Sequence, residues 1–410
     1  MKKGGFLKRT VRDVPLRGKT VLLRADYNVP LNAKGAIADD FRIQASLPTV
    51  RYLLDQDCKV IICSHLGRPD GEVKESLTLE PIAERLGSLL KQHVSFVPEC
   101  IGDRVHQAAK RLRNGQVLML ENLRFHAGEE ANDEHFAKAL ADDSAAEYFV
   151  QDGFGVVHRA HASTSAITQY LPSVAGLLLE REYTAIQSAM DNPERPMVAV
   201  LGGAKISDKI AVIEKFVSLA DVLIIGGAMA NTFLKYRGYK IGKSVHEDGL
   251  DSIIKQIYDA AEKKVGRDNL DDFIILPTDV VVAKEIAPHQ RRMTVSVNDV
   301  ANDELILDIG HDSIRTAVDV LATAKTVVWN GTLGYAELPQ FAHGSARVAL
   351  ALASHPGVTS VIGGGDTADF VLGWDAKKGG SFSHVSTGGG ASLDLMAGAP
   401  MPGIEALLDA

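Results

Sequence analysis

Five arginines stand in short polar clusters, most of them directly after an apolar run. Arg24 leads Asp26 and Asn28, and Arg42 follows Asp39-Asp40-Phe41. Arg68 belongs to Ser64-His65-Leu66-Gly67-Arg68-Pro69, and Arg124 to Glu121-Asn122-Leu123-Arg124-Phe125. Arg159 sits in His158-Arg159-Ala160-His161, after Asp152-Gly153-Phe154-Gly155. A guanidinium is a planar fork of donors that matches carboxylate and phosphate. Any one of these arginines alone reads as a solvated charge. Five at equivalent topological positions suit a small, highly anionic ligand, with His65 and His158 beside it.

The second half of the chain shows glycines where the first shows arginines. Val358-Thr359-Ser360-Val361-Ile362 runs into Gly363-Gly364-Gly365-Asp366-Thr367 and then an apolar-patterned stretch to Trp374. That pattern predicts strand, glycine turn and helix. A helix start exposes unpaired N–H groups and partial positive charge, and glycine lets such a backbone approach a phosphate. Asp366 is placed to hold a metal and Thr367 to reach an anion. Gly202-Gly203-Ala204-Lys205, Gly226-Gly227-Ala228, Trp329-Asn330-Gly331-Thr332-Leu333-Gly334 with Glu337, and Thr387-Gly388-Gly389-Gly390-Ala391 repeat the theme. Lys209 falls in the first turn of a predicted helix, with Ser207 as its cap and Ile210, Ile213 and Val217 on one face. A lysine there opposes the helix dipole, which makes sense if an anion sits in front of it. The set describes a nucleotide site with a metal, although no P-loop and no kinase catalytic loop is present.

These clusters need elements that hold them at one edge of a sheet. Thr20–Leu23, Lys59–Cys63, Gln116–Leu120 and Tyr148–Val150 read as strands, alternating with helical patterns at Ile43–Leu54, weakened by Pro48, and Leu79–Leu90, with Thr78 as cap. The rhythm argues for a mostly parallel sheet with helices on both faces, whose ligands bind beyond the carboxyl ends of the strands. Leu177–Met190 reads as one long helix ended by Asp191-Asn192-Pro193. The second half repeats the alternation, with strands at Met197–Leu201, Leu223–Ile225, Phe273–Ile275, Thr326–Val328, Val358–Ile362 and Phe382–His384. The expected architecture is two doubly wound, Rossmann-like parallel-sheet domains joined by a helix. The first spans 1–178 with the tail 397–410, the helix 179–192, and the second 193–396.

Composition narrows the class. The chain has 410 residues, 46% hydrophobic and 23% charged, as an ordinary globular protein does, and its length favours two domains. A net charge of −8 gives no support to nucleic-acid or anionic-membrane binding. Three cysteines (Cys58, Cys63, Cys100) make neither a disulfide framework nor a zinc spacing. With no secretory leader and no apolar run of about 20 residues, the expected location is cytoplasmic.

Taken in order, these motifs resemble the phosphoglycerate kinase family over nearly the whole chain. The resemblance implies two domains facing a cleft, the first binding 3-phosphoglycerate or 1,3-bisphosphoglycerate and the second Mg²⁺-ADP or Mg²⁺-ATP, with the tail Met401–Ala410 packed back on the first. Residue by residue it implies a triose site of Asp26, Asn28, Arg42, His65, Arg68, Arg124 and Arg159. It implies a nucleotide site of Gly203, Lys205, Lys209, Gly227, Gly310, Asn330, Glu337, Gly364, Gly365, Asp366 and Thr367, with Asp366 at the metal and Glu337 at the ribose. A monomer is implied. Ala228, His311 and Thr332 depart from the family pattern on the nucleotide wall and bear on base preference.

The implied chemistry needs no general base, since a carboxylate or a diphosphate oxygen is already ionised. It needs alignment and neutralisation of phosphoryl charge, for which Arg42, Lys209 and the helix start at Gly365 are the candidates. Exclusion of water calls for domains that close, with Leu177–Met190 and Gly388–Gly390 as hinge elements. A nicotinamide dehydrogenase would want Gly-x-Gly-x-x-Gly after the first strand, where this chain has Arg24-Ala25-Asp26. A non-catalytic nucleotide binder would have no need of Arg42, Lys209 and Asp366 together.

Overall fold

The computed structural model describes residues 5–410, which form two compact units. The first comprises Thr184 and the described residues before it, together with Ala399–Ala410; the second is Ala185–Gly398. The helix Leu177–Asp191 carries the chain from one into the other.

The first unit is built on β1 (Thr20–Arg24), β2 (Lys59–Ser64), β3 (Val94–Phe96), β4 (Val117–Asn122), β5 (Tyr148–Gln151) and β6 (Ser173–Ala175). They lie in the order β3-β4-β2-β1-β5-β6, and every pairing is parallel. Helices cover both faces, so β1, β2 and β4 are near-continuous apolar runs rather than alternating ones. Val21, Leu23, Val60 and Ile62 pack to one side, and Leu22, Ile61, Leu118 and Phe149 to the other. The short β3 escapes a sequence pattern because three residues carry no period. The helix Phe41–Asp55 runs straight through Pro48, anchored by buried Ile43, Leu47, Val50 and Leu53. That packing outweighs a penalty of ~3 kcal/mol for an interior proline. Thr78 stands one residue before the N-cap of the next helix, Glu80–Leu90, which is Leu79; its hydroxyl accepts from Glu80 N at 3.4 Å and donates to Glu121 Oε2 at 2.7 Å. The C-terminal tail closes this unit: Leu408 N donates to Ser173 O at 3.0 Å, Gly403 N to Val157 O at 2.9 Å, and Lys8 pairs with Asp409 at 2.7 Å.

The second unit carries β7 (Met197–Leu201), β8 (Val222–Ile225), β9 (Ile274–Ile275), β10 (Asp279–Ala283), β11 (Met293–Ser296), β12 (Leu305–Ile309), β13 (Thr326–Asn330), β14 (Thr359–Gly363) and β15 (His384–Val385). Six of them form a parallel sheet in the order β15-β14-β13-β7-β8-β9. The antiparallel sheet β11-β10-β12 is an addition to the expected plan. Met293 and Thr294 are exposed, and the segment lacks the βα rhythm that reveals the others. Ser207 also differs from expectation. The helix begins at Ile210 with Lys209 at its N-cap, and the Ser207 hydroxyl donates to Glu247.

Candidate functional site

In the first unit the carboxyl ends of β1, β2 and β4 and the start of the helix Phe41–Asp55 bring charged side chains together. Arg42 Nη1 donates to Asp26 Oδ2, and Asn28 N donates to Asp26 Oδ1 at 3.1 Å. Burial alone would raise the Asp26 carboxyl, but Arg42, then His65, the Asn28 N–H and Arg24 outweigh it and hold the group at about 2. Asn28 Oδ1 accepts from Gly67 N at 2.9 Å, and Arg124 Nη1 donates to Gly67 O at 2.8 Å, which fastens the loop after β2 from two sides. Arg124 Nε also lies 3.3 Å from Glu130. His65 is 3% exposed, with Nε2 4.0 Å from Asp26 Oδ1. Burial pushes its imidazole well below the usual range; Asp26 opposes this, while Arg24, Arg124 and Arg42 reinforce it. The backbone at Gly155 crosses so close that a Cβ there would lie 2.1 Å from Asp26 Oδ2. Asp26, Asn28, Arg42, His65 and Arg124 are thus one cluster. Arg68 and Arg159 are exposed. Arg68 follows the clamped Gly67, and the charge of Arg159 is felt at Arg124 and His161.

Behind this cluster lies a buried polar layer; it takes in Arg24 and His161, which the sequence grouped with the ligand-facing clusters, and adds Glu129 and Ser163, which the sequence did not mark. Arg24, Glu129 and Ser163 are fully buried, and His161 is 5% exposed. Glu129 stands beside Glu130 in a four-residue helix, Ala127–Glu130, and reads as surface charge in the sequence. Its long-range contacts with Arg24 and Ser163 distinguish it.

In the second unit the ends of β7, β8, β13 and β14 carry Gly203, Gly227, Gly331 and Gly364, all at positive φ. The loops interlock. A Cβ on Gly331 would lie 2.1 Å from Gly202 O, and one on Gly227 would lie 2.7 Å from Gly203 N and from Thr332 O. Several of these glycines therefore serve loop-on-loop packing. Gly365 differs: it opens the helix Gly365–Trp374, and a Cβ there would meet nothing within 4 Å. Lys209 Nζ donates to Gly202 O at 2.6 Å. Burial pushes its ammonium down to about 8, against the pull of Asp366 and Asp208. Thr367 Oγ1 accepts from Gly331 N at 2.6 Å, so its oxygen already braces the β13 loop. Asn330 Nδ2 is buried without a hydrogen-bond partner, beside Gly364, where an anion would satisfy it.

A cavity of about 230 Å³ opens beside these loops. Gly203, Ala204, Gly227, Ala228, Thr332 and Gly334 make one side, and Leu234, Pro277, Leu307 and Ile309 are apolar elsewhere on its lining. Glu337 and Asp366 contribute carboxylates, and both are exposed. An apolar slot with a few polar groups suits a planar base and its sugar. Of the expected nucleotide-site residues, Gly203, Gly227, Glu337 and Asp366 line the cavity; Lys209, Asn330, Gly364, Gly365 and Thr367 stand outside its lining, as do Gly310, which packs on Asp279, and Lys205, which is exposed near Glu247. Among the described residues no cluster of three metal-type ligands exists. One carboxylate, Asp366, is what a Mg²⁺ ion held largely by phosphate oxygens and water requires of a protein.

Two doubly wound sheets, one edged with guanidinium donors and the other with glycine loops around a slot, define an α/β protein for phosphorylated small molecules. Comparison with known proteins makes this specific. The family profile described as phosphoglycerate kinase matches residues 11–399. Phosphoglycerate kinase of Pelotomaculum thermopropionicum is 46% identical over 403 residues, covering 98% of this chain and 99% of the relative. That of Moorella thermoacetica is 47% identical over 407 residues, with the same coverage. Among solved structures, the Coxiella burnetii enzyme superposes with a TM-score of 0.82 at 36% identity, and the Pyrococcus horikoshii enzyme with 0.84 at 32%. Each match covers 97% of this chain and 98% of the other. The chain belongs to the phosphoglycerate kinase family, whose reaction is reversible phosphoryl transfer between 1,3-bisphosphoglycerate with ADP and 3-phosphoglycerate with ATP.

Proposed function

We propose that the first unit binds 3-phosphoglycerate or 1,3-bisphosphoglycerate and the second binds the magnesium complex of ADP or ATP. The observation that carries this division is the contrast in donors. Arg42, His65 and Arg124 cluster about an ionised Asp26 in one unit. In the other, Lys209, the Gly365 helix start and the unpartnered Asn330 amide flank an apolar slot. Asp26 and Asn28 orient the triose, and Arg68, Arg124 and Arg159 hold its remote phosphate. Glu337 takes the ribose, and Gly203, Gly227, Gly364 and Thr367 shape the phosphate loop.

Both nucleophiles are ionised at neutral pH, so these residues need to align and neutralise rather than deprotonate. Arg42 and Lys209 supply cationic donors to the transferring phosphoryl group, and the N–H groups at Gly365 add the field of a helix start. Magnesium, held at Asp366, supplies further charge neutralisation when bound. The enzyme is proposed to be a cytoplasmic monomer. No helix among the described residues is long and apolar enough to cross a membrane. Light scattering tests the monomer.

The first experiment is a coupled assay of ATP with 3-phosphoglycerate and Mg²⁺, repeated with GTP and with EDTA. Turnover that EDTA abolishes is expected. Equal turnover in EDTA would remove the metal from Asp366. The ATP-to-GTP ratio reads the wall formed by Ala228 and Thr332, both of which line the cavity.

A further inference from the structure

Behind the phosphoglycerate cluster, Arg24 faces His65 with both terminal nitrogens. Arg24 Nη1 and Nη2 each lie 3.3 Å from His65 Nδ1. A guanidinium has only donors, and it is never deprotonated in a protein. The contact is a hydrogen bond only if Nδ1 is the acceptor, and Nδ1 accepts only in the neutral ring that carries its proton on Nε2. Nε2 faces the other way, 4.0 Å from Asp26 Oδ1, too far for a hydrogen bond. That N–H is left for a ligand oxygen.

Arg24 is itself held on every side. Its Nε donates to Ser163 Oγ at 2.7 Å, and Nη1 donates to Ala25 O at 2.6 Å. Ser163 Oγ donates in turn to Glu129 Oε1 at 2.6 Å, and Ser163 N donates to Glu129 Oε2 at 3.0 Å. Glu129 Oε1 lies 3.5 Å from Arg24 Nη2, so the buried cation has a buried counter-charge. The other groups acting on the ring are Asp26, which favours its protonation, and Arg124 and Arg42, which with Arg24 disfavour it.

We propose that Arg24 is a positioning residue for the phosphoglycerate site: it locks His65 as the neutral imidazole with the proton on Nε2, while Glu129 and Ser163 lock Arg24. The proposal rests on the assignment of this cluster to phosphoglycerate. A proton added at Nδ1 would set donor against donor, so the ring stays neutral, turned with one N–H outward, through the working pH range. His65 then binds the substrate as a fixed hydrogen-bond donor and not as a cation.

The test is nitrogen-15 NMR of the whole enzyme, with the His65 signals assigned by comparison with His65→Gln. The expected pattern is an unprotonated Nδ1 and a protonated Nε2 from pH 6 to pH 8. A protonated Nδ1 anywhere in that range overturns the proposal without any variant. The second arm is the near-isosteric pair Arg24→Met with Glu129→Gln, which removes cation and anion together. It frees Nδ1 to take a proton. Burial, Arg124 and Arg42 still keep the ring neutral, so what the pair releases is the tautomer: its nitrogen-15 spectrum at pH 8 should show a protonated Nδ1 alongside the protonated Nε2 form, and KM for 3-phosphoglycerate should rise about tenfold, the scale of one hydrogen bond, with kcat within about twofold. A KM that rises while Nδ1 stays unprotonated in the pair would mean simple loosening and would count against the lock. If His65→Gln leaves KM for 3-phosphoglycerate unchanged, the site assignment fails, whatever the tautomer.

Discussion

The two units build their candidate sites at the edge of a parallel sheet by opposite means. The first uses side chains, and their charges fix one another: Asp26 holds Arg42, and Arg124 and Asn28 clamp Gly67. The second uses backbone, with loops packed on loops at distances no Cβ would allow. The first site should therefore fail when a charge is removed, and the second when a side chain is added at an interlocking glycine.

The largest expected effect is on the charge-built site. Arg42→Ala removes the proposed donor to the transferring group and the ion-pair partner of Asp26. We expect kcat to fall by at least ~100-fold, the scale for one transition-state donor. Near-normal turnover in that variant would end the role given to Arg42. Next is Gly331→Ala on the backbone-built site. The new Cβ would lie 2.1 Å from Gly202 O at a φ of +96°, so the loop must shift. KM for the nucleotide should rise more than ~10-fold, since a displacement of about an ångström costs that much or more, while KM for 3-phosphoglycerate stays put. If both Michaelis constants move together, the two sites are not independent in the way the contrast requires.

Much of this contrast was legible in the sequence because its signals are local. Glycine runs after apolar runs, and arginines after others, need no partner to be noticed. The longer parallel strands showed as apolar runs for the same reason. What escaped was short, exposed or long-range. β3 and β6 are too short to carry a period, and β11 is half exposed and lies outside the βα rhythm. Glu129 looks like surface charge until Arg24 is placed beside it. Thr367 reads in the sequence as a hydroxyl for an anion, and the fold adds that its oxygen also accepts from Gly331 N, 36 residues away. Gly202 and Gly331 are individually plain turn glycines, and only the fold shows that each makes room for the other.

Lys209 brings the two designs together, as a charge seated among glycines. Burial pushes its ammonium down to about 8, so in the free enzyme it loses its proton as pH rises through that value. kcat/KM for the nucleotide should therefore decline on an alkaline limb near pH 8. Lys209→Arg keeps the charge at every accessible pH and should erase the limb, even if the rate at pH 7 drops a few-fold. An unchanged limb would assign it to another group.

The smallest effects compare one buried carboxylate in each unit. Burial pushes both Asp152 and Asp308 up to about 7, against the Thr49 hydroxyl and N–H bonds at Asp152 and the N–H bonds at Asp308. Their ordinary value is 3.8, so between about pH 4 and pH 7 the folded state binds more protons than the unfolded one. Each group's contribution to stability then falls as pH rises across that window and is constant above it. Asparagine lacks this dependence, so each Asp→Asn variant should gain on the wild type between pH 5 and pH 8. The bonding decides where each starts. Asp152 uses one oxygen, Oδ1, for Leu178 N and Leu179 N, and Oδ2 has no partner. Asparagine keeps those bonds, and Asp152→Asn should melt at or above the wild type at pH 8. Asp308 uses both oxygens, Oδ1 for Ile309 N and Oδ2, with Oδ1, for Gly344 N. An amide there turns one acceptor into a donor facing an N–H. Asp308→Asn should lose several degrees at every pH, at about 2–4 °C per kcal/mol for a domain of this size, with only the difference narrowing toward pH 8. Melting curves of both variants at pH 5 and pH 8 separate a carboxylate kept for its shape from one kept for both its oxygens.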